Sequence, residues 1–283
     1  MNSHRLYFIT TTLILAFILA ACGSPSTAVP TATPIKVVGP AATLPVAPTL
    51  PVAPTAAPAQ TVSASSRGGC TNAYYPLSSG ATWSYASTGS ITGDYTYTET
   101  LSGLSDTGFM TNDAFSIGAT RTVTWSCDSG NLTSLATGSG NASVSSSSMT
   151  LTIDSVNATG YIIPADFTDG KIWSEDVTLN GTLVQGSDQK GTTVSENKVD
   201  CTTAGIDKVT VPAGTFDTVK ITCHTNLDTT VTLIGKISGT TGKPITTVLD
   251  STQWYAQGVG LVQMVNSGDL VNETIQLTNY SIP

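Results

Sequence analysis

Apolar and polar residues alternate with a period of two through most of the chain after residue 66. Runs of this kind include Trp83-Ser84-Tyr85, Val123-Thr124-Trp125 and Val219-Lys220-Ile221. Successive side chains of a strand point to opposite faces of a sheet, so this period indicates antiparallel strands that are buried on one face. No window of eleven residues after Cys22 has the apolar spacing of an amphipathic helix. Residues 67–283 are therefore predicted to form one all-β domain of about ten to fourteen strands.

Glycine-containing turn signals divide these runs and predict where the strands end. They include Ser129-Gly130-Asn131, Asn180-Gly181, Ala204-Gly205 and Val211-Pro212-Ala213-Gly214. Gly258 and Gly260 suit a bulge or bend, which a curved sheet needs. Residues 137–148 are rich in Ser, Gly and Asn and are predicted to form a long loop, the one candidate boundary within the domain. The expected architecture is a single curved antiparallel sheet, as a half-barrel or a sandwich.

Four cysteines in the folded part predict two disulfides. They are Cys70, Cys127, Cys201 and Cys223, and three pairings are possible. A hairpin that reverses at Val211-Pro212-Ala213-Gly214 brings Cys201 opposite Cys223 and favours that pairing. Cys70 is then left to pair with Cys127. A metal site that uses His224 is the alternative, but it requires two reduced thiols outside the cell.

Residues 1–22 have the features of a bacterial export signal. Arg5 supplies a basic start, and residues 6–21 are an apolar run too short for a transmembrane helix. Ala20-Ala21 immediately precede Cys22, and this resembles the lipobox of bacterial lipoproteins. The resemblance implies cleavage before Cys22, a diacylglyceryl group on its thiol and a further acyl chain such as palmitate on its amine, which together hold a protein on a membrane. The expected location is extracytoplasmic, anchored to the bacterial cell membrane or the outer membrane; the alternative is a secreted protein in which Cys22 stands by chance.

Residues 23–66 are predicted to be a disordered linker. They contain nine of the fourteen prolines of the chain, interspersed with Ala, Thr and Val. Proline at this density prevents helices and sheet ladders and favours polyproline II. The segment is expected to act as a spacer between the membrane and the folded domain.

Three short patches in the folded part carry a second resemblance. They are Tyr74-Tyr75-Pro76 with Gly80 and Trp83-Ser84-Tyr85, then Val209-Thr210-Val211-Pro212-Ala213-Gly214-Thr215-Phe216, and Trp254-Tyr255-Ala256-Gln257-Gly258-Val259-Gly260-Leu261-Val262. Together they resemble a loosely related group of uncharacterised exported bacterial β-proteins. Several of these have a strongly curved sheet like the half-barrel of outer-membrane lipoprotein carriers. The resemblance implies that fold, and it brings no catalytic residues with it.

The composition argues against several classes of function. The formal net charge is −8 at pH 7 with 11 Lys and Arg in total, which gives no electrostatic footprint for nucleic acid. His224 is the one histidine after residue 22, and no Gly-x-Ser-x-Gly elbow accompanies it, so a Ser–His–Asp triad is not expected. No cofactor and no metal site are predicted.

The acidic residues are a further set of catalytic candidates, because glycosidases need only two carboxylates. Glu175 and Asp176 are adjacent and must point to opposite faces of a strand, so they cannot both serve one site. Asp166 and Asp169 lie in a loop without the spacing of an EF-hand, and an Asx turn is favoured over a calcium site.

The predicted function is non-catalytic binding by a membrane-anchored envelope lipoprotein. The expected partner is a hydrophobic ligand, a glycan or another envelope protein, and the candidate binding residues are the four tryptophans, Trp83, Trp125, Trp173 and Trp254. Core packing is the alternative role for these large side chains. The alternative functions are a secreted polysaccharide hydrolase that uses two carboxylates from different strands, and a structural spacer or adhesin without a small ligand.

Overall fold

The computed structural model describes residues 70–90, 93–135, 143–146, 149–185, 189–234, 240–241, 244–268 and 271–283. The predicted lipidation site Cys22 and the predicted linker 23–66 lie outside these residues. Every regular element in the described part of the chain is a β-strand. None of its segments is a helix long and apolar enough to span a bilayer.

The described residues contain fourteen strands. Their bounds are β1 (Thr82–Thr88), β2 (Tyr95–Ser102), β3 (Gly108–Phe115), β4 (Thr120–Asp128), β5 (Asn131–Ser134), β6 (Ser143–Ser145), β7 (Met149–Gly160), β8 (Ile172–Gln185), β9 (Gln189–Val211), β10 (Gly214–Ile234), β11 (Thr240–Thr241), β12 (Ile245–Ala256), β13 (Gly260–Gly268) and β14 (Asn272–Ser281).

All strands belong to one antiparallel sheet that curves until it nearly closes. The strand order is β11-β10-β12-β13-β14-β1-β2-β3-β4-β6-β7-β8-β9; β5 pairs with β4 beside this path, and β9 also pairs with β10. The two ends of the order therefore meet, and the sheet is barrel-like. This confirms the predicted all-β class and the single curved sheet, although the curvature exceeds that of a half-barrel.

The weakest connection around the sheet is the short strand β6. Its three residues pair with β4 on one side and with β7 on the other. β6 lies inside residues 137–148, which were predicted to be a loop and a possible domain boundary. That prediction was wrong for 143–145, because Ser and Val can form a strand where a partner is present on each side.

The long hairpin of β9 and β10 forms as predicted around Val211-Pro212-Ala213-Gly214. Val211 pairs directly with Gly214, whose φ of 141° suits glycine. Further along the same ladder Cys201 lies opposite Cys223, and these two residues form a disulfide. The second disulfide joins Cys70 to Cys127 and holds the segment before β1 against β4.

Two predicted turns are wrong, and both lie inside long strands. Asn180-Gly181 lies in β8 beside a bulge in β7, and a Cβ on Gly181 would come within 2.8 Å of the Thr152 carbonyl oxygen. This glycine allows a close approach of two strands instead of a reversal. Ala204-Gly205 forms a bulge in β9, where Gly205 has a φ of 101°.

The interior of the sheet is filled by apolar side chains on the inward face of the strands. Trp83, Leu101, Leu132, Val262 and Leu277 are each at most 1% exposed. The large rings are concentrated in the half of the interior that β1 to β4 enclose. Several polar side chains also face inward there, and they position the candidate site.

Removal of the Cys201–Cys223 disulfide by replacing both residues with alanine is expected to lower the free energy of unfolding by about 3 kcal/mol. The bridge closes a loop with a sequence separation of 22 and so restricts the unfolded chain. Urea denaturation of the purified protein measures the change. The matched control is the next pair on the outer face, Thr202→Ala with Thr222→Ala, which should cost less than about 1 kcal/mol. Equal midpoints for the wild type and the disulfide variant would contradict this expectation.

Candidate functional site

The interior holds a cavity of about 170 Å³. Seven aromatic side chains line it: Tyr75, Tyr85, Tyr95, Tyr97, Phe115, Trp125 and Tyr255. Aliphatic residues such as Leu249, Leu261 and Met264 form much of the remaining wall. A mostly apolar cavity with a few polar groups is the usual form of a small-molecule site.

One wall of the cavity is a stack of three rings from neighbouring strands. Tyr85 of β1 stacks on Tyr97 of β2 with 5.0 Å between ring centroids, and Tyr97 stacks on Phe115 of β3 with 5.1 Å. Tyr85 and Tyr97 are directly opposite in the β1–β2 register, and Tyr97 and Phe115 are opposite in the β2–β3 register. The strand pairing therefore fixes these rings, because directly opposed side chains are close enough to pack.

A second group of rings surrounds Tyr75, which precedes β1. Its ring centroid lies 5.6 Å from those of Trp83, Phe109 and Trp125. Phe109 and Trp125 are nearly parallel, with centroids 5.4 Å apart. The Cys70–Cys127 disulfide ties the chain just before Tyr75 to β4 and so helps to hold this ring in the interior.

Glu99 projects into the cavity from β2 between Tyr97 and Leu101 in sequence. The hydroxyl of Tyr75 donates a hydrogen bond to Glu99 Oε1 at 2.8 Å. Glu99 lies opposite Asp113 of β3 in the sheet register. Burial, and next the nearby Asp113 charge, raise the pKa of Glu99 from 4.5 to about 7. The Glu99 carboxyl group is therefore protonated in a large fraction of the molecules at neutral pH.

Asp113 is paired with the one basic side chain that lines the described part of the cavity. Arg121 Nε lies 2.5 Å from Asp113 Oδ2, and the side chain of Asp113 is fully buried. Asp113 Oδ1 is buried without a hydrogen-bond partner in the described part of the chain. The Arg121 guanidinium also lies 5.4 Å from the centroid of the Phe115 ring, within cation–π range.

Glu273 forms a second polar group where β1 and β13 end and β14 begins. Ser87 Oγ and Tyr95 OH donate hydrogen bonds to its Oε2 at 2.8 and 2.9 Å. Asn266 Nδ2 donates to its Oε1 at 3.2 Å. The carboxylate is therefore held by three neutral donors, each from a different strand or strand end.

Glu175 is a fourth inward-facing acid, and it is 1% exposed. The backbone N–H of Ser134 donates to Glu175 Oε1 at 2.9 Å. Burial raises the pKa of Glu175 from 4.5 to about 8, because this hydrogen bond offsets only part of the desolvation cost. Its neighbour Asp176 is exposed, so the prediction that these two acids face opposite sides is confirmed.

The four candidate tryptophans do not form one binding surface. Trp125 is the one among them that lines the cavity. Trp83 and Trp173 are buried in the core at 1% and 5% exposure, and each donates its indole N–H to a backbone carbonyl. Trp254 lies on the outer face, where it donates to Asp207 Oδ2 at 3.0 Å.

The remaining candidates lie away from the cavity. His224 is on the outer face of β10, with Nδ1 2.7 Å from Asp250 Oδ1. Asp166 forms an ion pair with Lys171. No group of three or more His, Cys, Asp and Glu side chains is arranged to hold a metal ion within the described ranges.

The polar residues of the cavity were not predicted, although the sequence contains a signal for them. Glu99 stands in an inward register between Tyr97 and Leu101, and Glu273 stands two residues before the buried Ile275. An acid in the apolar register of a strand is costly to bury without a partner. Such acids mark inward-facing polar sites, and this pattern could have found both residues.

The protein is therefore an all-β domain that two disulfides cross-link and that contains an interior cavity. The family model described as DUF3108-like matches residues 110–269, which is more than half of the chain. The chain belongs to the DUF3108-like family.

Two solved structures are similar to this one. A protein from Bacteroides fragilis, named as an exported protein with a YmcC-like fold, is 12% identical with a TM-score of 0.45, and the alignment covers 75% of this chain and 100% of that one. A protein from Parabacteroides distasonis, named as a lipoprotein, is 13% identical with a TM-score of 0.38, and the alignment covers 75% of this chain and 99% of that one. No curated protein sequence matches this chain.

Proposed function

We propose that this protein is a membrane-anchored envelope lipoprotein that binds a small, largely apolar molecule inside its barrel-like sheet and catalyses no reaction. The observation that carries the proposal is the interior cavity of about 170 Å³ with its aromatic wall. An engineered apolar cavity of about 150 Å³ in another protein binds benzene. The cavity in this protein is therefore large enough for a molecule about the size of one aromatic ring. A spacer without a ligand has no need for such a cavity.

The proposed location depends on two features. Paired cysteines are typical of proteins outside the cytoplasm, and the structure contains two disulfides. The lipobox at Cys22 supplies the proposed membrane anchor. Binding in an interior cavity leaves the outer face of the sheet free for contacts with envelope partners.

A carboxylate-dependent hydrolase is the second candidate function, and one observation favours it. Glu99 and Asp113 lie opposite each other on adjacent strands, so two acids from different strands are close together, and a glycosidase uses a pair of acids. Glu99 has a pKa near 7, whereas Asp113 is paired with Arg121. The size of the cavity opposes this candidate for a polysaccharide. Turnover of aryl glycosides that persists through purification and disappears in the Glu99→Gln variant would establish the hydrolase and reject the binding proposal.

Filling the cavity is expected to abolish binding. Ser251 lines the cavity and is 7% exposed, so Ser251→Phe places a ring in the space that the ligand needs. We expect the wild type to bind indole in isothermal titration calorimetry and the variant to bind it at least tenfold more weakly. The matched control is Thr252→Phe, one residue along β12 on the outer face, which should bind like the wild type. Undetectable indole binding in the wild type, or equal binding in all three proteins, would count against the proposal.

A further inference from the structure

The cavity has more negative than positive groups on its wall. Two carboxyl groups line it, those of Glu99 and Glu273, and Arg121 is the single cationic side chain among the described lining residues. The Arg121 charge is already matched by Asp113, since Nε and Oδ2 are 2.5 Å apart. A bound molecule therefore meets two carboxyl groups, and the single cation that lines the cavity already forms an ion pair with a third acid, Asp113.

The Glu99 carboxyl group can also accept more hydrogen bonds than it receives from the described residues. Within the described part of the chain one hydrogen bond reaches Glu99, from the Tyr75 hydroxyl. A carboxylate accepts about four hydrogen bonds, so most of the capacity of Glu99 is free for a ligand. Glu273 already accepts three hydrogen bonds, which makes Glu99 the better contact for a donor on the ligand.

The aromatic wall adds a second attraction for positive charge. The faces of Tyr and Phe rings carry negative electrostatic potential, and cations within about 6 Å of a ring centroid are stabilised by it. The cavity already contains one such contact, between Arg121 and Phe115 at 5.4 Å. Tyr97 stacks on that same Phe115 and is the inward neighbour of Glu99 along β2.

We propose that the molecule bound in the cavity is an organic cation, an ammonium group on an apolar body about the size of one aromatic ring. The ammonium group contacts Glu99, and the apolar body packs against the stacked rings of Tyr85, Tyr97 and Phe115. This inference rests on the proposed function and narrows it to a class of ligand. A neutral ligand of the same shape would offer no positive charge to these carboxyl groups.

The protonation of Glu99 agrees with this proposal and gives it a second readout. The groups that act on Glu99 are Tyr75, Asp113 and Arg121. Burial and, in addition, the Glu99 charge raise the pKa values of Tyr85, Tyr97 and Tyr255, so these three side chains are further electrostatic neighbours of Glu99. With its pKa near 7, Glu99 is largely neutral at pH 5.5 in the empty cavity. A cation favours the ionised carboxylate, so binding at pH 5.5 should release a proton, and affinity should rise from pH 5.5 to pH 7.5.

The test compares benzylamine, a cation at pH 7.5, with benzyl alcohol, its neutral counterpart of nearly the same shape. Isothermal titration calorimetry of the full chain is expected to show at least tenfold tighter binding of benzylamine. The Glu99→Gln variant keeps an acceptor for Tyr75 but removes the charge, and it should bind both probes with similar affinity. The matched control is Glu196→Gln on the outer face of β9, which should keep the wild-type preference.

Three outcomes separate this inference from the proposed function. Binding of benzyl alcohol as tight as that of benzylamine would overturn the cation inference and leave the proposed function standing. Absence of binding for both probes would count against both proposals. Titrations at pH 5.5 in two buffers of different ionisation enthalpy should show proton release for the wild type, and release that persists in Glu99→Gln would also overturn the inference.

Discussion

Replacement of Trp83 by alanine is expected to lower the free energy of unfolding by about 4 kcal/mol. Trp83 is 1% exposed, and its ring packs near Tyr75 at a centroid distance of 5.6 Å. Its indole N–H also donates to the Val259 carbonyl oxygen at 2.6 Å, so the substitution leaves a cavity and an unpaired acceptor. Most domains are stable by only about 5–15 kcal/mol, so the loss is a large fraction of the total. Urea denaturation should show a lower midpoint with an unchanged slope.

Trp254→Ala is the matched control for this prediction. Trp254 lies on the outer face, where Lys220 Nζ is 5.8 Å from the ring centroid and the indole contacts Asp207. Exposed contacts of this kind are worth about 1 kcal/mol or less. Equal destabilisation by the two substitutions would show that Trp83 has no special role in the core.

Replacement of Glu175 by glutamine is expected to change how stability depends on pH. The pKa of Glu175 is about 8 in the folded protein and has an ordinary value of 4.5 in an unfolded chain, so the folded state binds more protons between these values. Stability from this group is therefore complete below about pH 4.5 and is lost as the pH rises to about 8. Glutamine does not titrate, so the variant should gain about 4 kcal/mol relative to the wild type between pH 4.5 and pH 8.

Urea denaturation at several pH values measures this difference. Asp176→Asn is the matched control, because Asp176 is the next residue of β8 and is exposed. Its difference from the wild type should stay within about 0.5 kcal/mol over the same range. A Glu175→Gln variant that follows the wild type at every pH would disprove the buried, protonated state of this acid.

A local feature of the fold can be predicted from the sequence when a single local interaction determines it. The Val211-Pro212-Ala213-Gly214 turn fixes the β9–β10 register and, with it, the Cys201–Cys223 disulfide. Asn180-Gly181 has an equally strong local turn signal, yet strand pairing places it inside β8. The near closure of the sheet depends on the pairing of β6 with β4 and β7, which is set by distant parts of the chain and leaves no local signal.

The candidate site was less predictable than the fold. Trp254 and Tyr255 are adjacent, so one of them must face outward, and only the register shows that it is Trp254. The surroundings of Glu99 depend on Tyr75, Asp113 and Arg121, which come from three other segments of the chain. Alternation predicts which residues face inward, but it does not predict which of them surround an empty volume.

The most direct test of ligand binding in the interior cavity is native mass spectrometry of the purified full chain, before and after extraction with organic solvent. The wild type and Thr252→Phe should each carry a small-molecule adduct that extraction removes, and Ser251→Phe should lack it. A wild-type mass without an adduct, after correction for the two disulfides, would contradict the proposal that the cavity is a binding site.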